Sequence, residues 1–152
     1  MARKSDNTAL NIIASNLNSV FLDNKLSKSV TFVATTTGAT GTFKIADVTG
    51  TVALSIFAIC TVNSAGAGTI EVGTALSTAG LIAQVNCNVF TAGEIWHDNS
   101  PDSSIELTSV VTQKIVTQNV AYKITTNTMS AGNLIFYILW TPISDDGLVT
   151  IA

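Results

Sequence analysis

The chain has one histidine, and acids surround it: Glu94, His97, Asp98 and Asp102 fall within nine residues. Imidazole and carboxylates at that density could hold a divalent cation, and Asp98, Asn99 and Asp102 offer the oxygen chemistry of a calcium loop. The spacing is not that of an EF-hand, and solvated residues at a strand end have the same composition. A second bland reading makes His97 and the acids intersubunit hydrogen-bond partners, with a mild pH dependence of assembly. Any Ser-His-Asp or Cys-His site would have to use His97. No G-x-S-x-G elbow, P-loop or H-E-x-x-H pair occurs.

The remaining reactive residues point away from catalysis. Cys60 and Cys87 have no close-spaced metal or redox pattern and read as small buried thiols in a reducing compartment. The glycine-rich stretch Gly66–Gly73 has no lysine to meet a phosphate and reads as a hairpin turn. Trp96, Trp140, Tyr122 and Tyr137 could stack on a sugar or a base, but both tryptophans lie inside strand patterns, where packing is the expected role. Asp145-Asp146-Gly147 reads as a turn before a last short strand, Leu148 to Ile151, because neighbouring side chains on an extended chain point apart. No enzyme activity, cofactor or bound metal is expected.

These residues must be positioned by a chain of 152 residues, 47% hydrophobic and 11% charged, with two prolines and ten glycines. That composition excludes disorder and collagen-like repeats, and the length suits one domain that needs neither disulfide nor metal to hold a core. The net charge of -3 argues against direct nucleic-acid binding, which relies on clustered Lys and Arg. Charge is unevenly placed. Residues 1–28 hold Arg3, Lys4, Lys25 and Lys28 against Asp6 and Asp23, whereas the rest holds Lys44, Lys114 and Lys123 against eight acids. The opening residues do not resemble a secretory signal, and Val52 to Val62, the longest apolar stretch, is too short to span a bilayer as a helix. No membrane association is expected, and synthesis is expected in a cytoplasm.

Leu10, Ile13, Leu17 and Val20 or Phe21 recur at three- and four-residue intervals, which permits a short amphipathic helix with Asp6 as its N-cap. The asparagines at 11, 16, 18 and 24 favour instead an extended arm ordered on a neighbouring subunit. From Ser29 onward Thr, Val, Ile, Ala and Gly dominate. The body reads as all-β, with strands expected at 30–35, 42–48, 51–62, 68–75, 80–86, 88–97, 103–111, 114–127 with a break, and 132–143. Eight or nine short strands with no intervening helices leave a sandwich, jelly roll or barrel.

The alternation separates two kinds of strand. Val120, Tyr122 and Ile124 share one face against Ala121, Lys123 and Thr125, as a sheet with one wet face requires. In Val52–Thr61, by contrast, Ala53, Phe57 and Ile59 oppose an already apolar face, and Ile135, Tyr137 and Leu139 oppose Leu134, Phe136, Ile138 and Trp140. A two-sheet sandwich dries only one face of each sheet, so something further must cover the other. The candidates are the N-terminal segment folding back or an identical neighbour, and the neighbour is preferred, with Phe57, Ile59, Ile135, Tyr137 and Leu139 as the interface.

Four phrases carry a family likeness: Thr49–Val62, then Gly68-Thr69-Ile70-Glu71-Val72-Gly73, then Leu81-Ile82-Ala83-Gln84, and Ala92-Gly93-Glu94-Ile95-Trp96-His97-Asp98. Through them the middle half of the chain resembles small β-sandwich virion proteins of tailed bacteriophages, the capsid decoration or cement proteins and related head fibres. The resemblance implies a jelly roll, commonly trimeric, on the outside of an icosahedral head, where it clamps neighbouring major capsid proteins. It carries no residue with a chemical role. The expectation is therefore an all-β, jelly-roll-like antiparallel β-sandwich at 29–152 behind an N-terminal arm or short helix at 1–28. Its partners would be further copies of itself as a homotrimer and the major capsid protein, with Arg3, Lys4, Lys25 and Lys28 on the capsid-anchoring arm. The alternative is a receptor-binding or tail-associated module that recognises a glycan through Trp96, His97 and the nearby acids.

Overall fold

A computed structural model describes residues 24–98, 101 and 104–152. Among the described residues, alternating β-branched and aromatic side chains build ten strands: β1 (Asn24–Thr31), β2 (Gly41–Thr49), β3 (Val52–Gly66), β4 (Thr69–Gly73), β5 (Ile82–Asn86), β6 (Ile95–Trp96), β7 (Lys114–Val116), β8 (Val120–Thr125), β9 (Met129–Pro142) and β10 (Leu148–Ile151). They form two antiparallel sheets packed as a β-sandwich. The first runs β1-β9-β3-β6, with β7 also pairing along β3; the second runs β10-β2-β8-β4-β5. The two long strands β3 and β9 pair through most of their length, from Val52 opposite Pro142 to Cys60 opposite Leu134, before bulges shift the register.

The core lies between the sheets. Val52, Leu54, Ile56, Ala58 and Cys60 of β3 and Leu134, Phe136, Ile138 and Trp140 of β9 face inward and are buried. They meet Ile70 and Val72 of β4 and Val120, Tyr122 and Ile124 of β8. Aromatic rings link the layers: Tyr122 stacks on Phe43 and Phe136 and meets Phe32 edge-on, and Trp96 packs against Phe90 and Phe136. The Tyr122 hydroxyl donates to the Thr37 carbonyl at 2.9 Å, so the largest polar atom of this stack is satisfied. Gly50, between β2 and β3, sits at φ +63, and the Ser144 and Asp146 side chains fill the space a Cβ would need. That turn thus requires glycine twice, for its backbone and for its neighbours.

Several expected boundaries change. The first strand begins at Asn24 and ends at Thr31, so the division between arm and sandwich placed at 28/29 falls inside β1. Beyond it, the Thr37 hydroxyl takes the Val33 N–H and donates to the Thr31 carbonyl, and this side-chain bonding ends the strand where 30–35 was expected to continue. Of 88–97 only Ile95–Trp96 is strand, because Thr91–Glu94 turns with Gly93 at φ +96 and the Glu94 carboxylate holding the Thr91 N–H at 2.8 Å. Within 103–111 the described residues form no strand; Thr108–Val110 make a 3₁₀ turn. The expected break in 114–127 is present between β7 and β8, and the last strand spans Leu148–Ile151 as expected.

Candidate oligomer interface

Inward placement of Leu134, Phe136, Ile138 and Trp140 obliges the alternate residues of β9 to point outward, since successive side chains on a strand take opposite faces. The five sequence-selected residues meet there. Phe57 lies directly opposite Tyr137, Ile59 opposite Ile135, and Leu139 opposite Ser55. The Phe57 and Tyr137 rings stack with centroids 5.2 Å apart. All five are only half-buried by their own chain. A Leu, Ile or Phe gains roughly 1.5–3 kcal/mol on full burial, so each retains a substantial part of that gain for a partner.

The band is wider than the sequence reading made it. Ile95 of β6 pairs with Ile59, and Ile115 of β7, 72% exposed, pairs with Ala53, so both extend the same face toward the far edge. Each belongs to a strand of two or three residues, too short for alternation to reveal its outward face. At one end the band stops at a polar knot. There Asn133 donates to the hydroxyls of Ser29 (3.1 Å) and Thr31 (2.9 Å) and accepts from Thr61 (2.6 Å). Beside Leu139 it opens into a groove of about 300 Å³ lined by Lys25, Leu26, Ser27, Phe57, Tyr137 and Leu139.

The outward face of the second sheet is chemically opposite. Thr42, Lys123 and Glu71 align across β2, β8 and β4. Gln84 donates to the Glu71 carboxylate at 3.0 Å, Lys123 approaches it at 3.9 Å, and the Thr69 and Thr125 hydroxyls bond at 2.8 Å. One outer face is wet by design of its side chains, and the other is greasy.

The basic residues separate. Arg3 and Lys4 lie outside the described residues. Lys25 is corrected: it lies on β1 and not on an arm, exposed opposite Leu139. Lys28 is corrected: it is no arm residue but belongs to β1, and its Nζ donates to the Lys44 carbonyl at 2.7 Å and the Ala152 carbonyl at 2.8 Å, closing the seam between the sheets.

Among the described residues, Glu94, His97 and Asp98 do not come together as a metal site. Glu94 caps its own turn, the Asp98 carbonyl accepts from the Ala83 N–H, and Asp102 lies outside the described residues. Among the described residues no three His, Cys, Asp or Glu side chains come together to hold a metal ion. Both His97 ring nitrogens and the Trp96 Nε1 are enclosed without a hydrogen-bond partner among the described residues. Trp96 is fully buried and Trp140 is 7% exposed, so neither presents a ring face to a ligand. Cys60 and Cys87 are free and buried, and burial pushes the Cys87 thiol up to about 11 and raises that of Cys60, which keeps both protonated and unreactive near neutral pH. Among the described residues no helix is long and apolar enough to cross a membrane. No family model, curated protein or solved structure matches the chain.

Proposed function

We propose that the protein is a structural virion component that decorates a bacteriophage capsid. It acts as a homotrimer whose copies associate through the outward face of the β1-β9-β3-β6 sheet and clamp neighbouring major capsid proteins. The observation that carries this reading is the contrast between the two outer faces. Phe57, Ile59, Ile135, Tyr137 and Leu139 form a continuous apolar band on one, whereas Thr42, Lys123, Glu71 and Gln84 line the other. A contiguous apolar face rimmed by polar residues is the surface of a molecule built to associate. The jelly-roll form of the sandwich belongs to the same proposal. Its support is that the chain changes sheet at nearly every connection, with β4–β5 and β6–β7 the exceptions among the described strands. Arg3, Lys4 and Lys25 are the charges left for the capsid, since Lys28 is engaged within the sandwich. Copies joined about one local symmetry axis raise one another's effective concentration at the capsid, so a modest contact per copy suffices for firm attachment.

The glycan-recognition alternative relied on Trp96, which is enclosed by Phe90 and Phe136. Light scattering on the purified chain tests the leading reading. A trimer is expected for the natural sequence and a monomer with unchanged β-sheet circular dichroism for Ile135→Lys. Capsids lacking the protein should lose heat resistance. A monomeric natural chain, or capsids equally heat-resistant with and without it, would overturn the proposal.

A further inference from the structure

We infer that the cleft between β1 and β2 is a strand-addition site, which takes an extended segment of another polypeptide with acidic and apolar residues in alternation. The inference goes beyond the capsid reading and uses neither the apolar outer face nor residues 1–23. β10 pairs with β2 only from Thr49 to Ala46, and the bond from the Ala152 N–H to the Ile45 carbonyl, at 3.2 Å, is its last rung. Residues 41–44 therefore pair with β8 on one side and with no described strand on the other. Among the described strands β1 likewise pairs only with β9. In the space that a longer β10 would fill lies a cleft of about 430 Å³, with residues 28–31 on one wall, residues 42–44 on the other and Tyr122 at its base. The slot beside residues 41–44 is about 13 Å long, and the volume falls within the range of ligand sites, roughly 300–1,000 Å³.

The chemistry of the cleft selects its occupant. The Lys44 carbonyl points toward β1, where it accepts from Lys28 Nζ at 2.7 Å in place of a strand N–H. Thr42, two residues away, presents its backbone to the same edge. A strand laid there aligns one side chain with Phe43, on the inner side, over the Phe43–Tyr122 stack and beside Val30. The residues before and after it point outward, beside the exposed Thr42 and Lys44. An apolar side chain suits the inner position and an acid the outer ones. No Asp or Glu lines the cleft, and Lys28 has no carboxylate partner among the described residues. Lys44 meets only Asp47, at 2.8 Å on the surface, a weakly held pair that can yield to an incoming carboxylate. When a strand N–H takes over the Lys44 carbonyl, the Lys28 ammonium is released to meet a carboxylate of the same segment. A basic segment would face two ammonium groups instead. A bare anion would use the lysines and leave the aromatic base and the strand edges without a partner.

The test titrates the full-length chain with two end-capped pentapeptides, Glu-Val-Glu-Val-Glu and Lys-Val-Lys-Val-Lys, and follows the backbone amides by NMR. The acidic peptide is expected to shift the signals of residues 28–31 and 42–44 saturably and to slow amide exchange at Thr42 and Lys44; the basic one should do neither. Lys44→Glu should weaken binding about three- to ten-fold, and Asp47→Asn, which releases Lys44, should tighten it by up to about five-fold, both with unchanged circular dichroism. Opposite signs from two neighbouring substitutions cannot come from a damaged fold. The inference is overturned by an acidic peptide that leaves the cleft signals unmoved, by an equal response to both peptides, by the same shifts from acetate alone, or by an affinity that neither substitution alters. Sizing of the natural chain keeps this reading apart from the homo-oligomer. An oligomer that ignores the acidic peptide removes only the strand-addition site, whereas a monomer that binds it removes only the oligomer.

Discussion

Tyr122, Cys60 and Cys87 show how thoroughly the space between the sheets excludes water, since burial raises the acid group of each. The sign of the consequence follows from which state releases protons first. In the unfolded chain Cys87 ionises near 9, but in the folded protein only at about 11, so between these values the unfolded state binds fewer protons. Stability is therefore insensitive to these thiols below pH 9 and falls as pH rises from 9 toward 11. Urea midpoints at pH 7, 9 and 10.5 should show it, with a steeper loss between the last two points than between the first two. Tyr122 also anchors the turn after β1 through its bond to Thr37. Tyr122→Phe leaves that carbonyl unsatisfied beside a buried ring and should cost about 1–2 kcal/mol by the same urea titration.

Adjacent residues on β9 belong to different problems, and substitution should separate them. Leu134 is buried against the core, and Ile135, one residue on, points outward opposite Ile59. Leu134→Ala opens a cavity between the sheets and should destabilise the fold by about 2–5 kcal/mol. Ile135→Ala should lower monomer stability by less than about 1 kcal/mol while weakening self-association, read by chemical denaturation and by sedimentation of the same samples. This distinction was legible in the sequence because β3 and β9 are long enough for strict alternation to reveal both faces. The two-sheet all-β body was legible for the same reason. The outward Ile95 and Ile115 were not, since β6 and β7, though within the expected 88–97 and 114–127, pair only two or three residues and carry no period, and neither was Lys28, whose partners are backbone carbonyls 16 and 124 residues away. For the Glu94, His97 and Asp98 stretch, proximity in sequence did not say where the carboxylates point, and in the fold the Glu94 carboxylate turns back on the Thr91 N–H. Residues 24–28 of edge-strand β1 were read as arm because the outward Lys25 and Ser27 are polar, and the pairing of β1 with β9 supplies the order that this composition does not advertise.

At the scale of the whole molecule, the proposed assembly would couple association to folding. The β3–β9 pair contributes inward side chains to the core, and in the proposed assembly its outward side chains make the contact with the next copy. If that contact forms only between folded chains, association stabilises the native state by mass action, and the melting temperature must depend on protein concentration. For a trimer unfolding to three chains, each tenfold rise in concentration adds about 2.7 kcal/mol per trimer, or about 0.9 kcal/mol per chain. A domain of this size moves its melting temperature by about 2–4 °C per kcal/mol, so a hundredfold range of concentration should span about 4–7 °C. Calorimetry across that range reads it directly. The two β9 variants should then diverge: Leu134→Ala should melt lower at every concentration and keep the same slope, whereas Ile135→Lys should melt at a temperature independent of concentration. A natural chain whose transition does not move over the hundredfold range would mean that its apolar outer face is already closed within a single copy. The contrast between greasy and wet faces would then have no bearing on assembly.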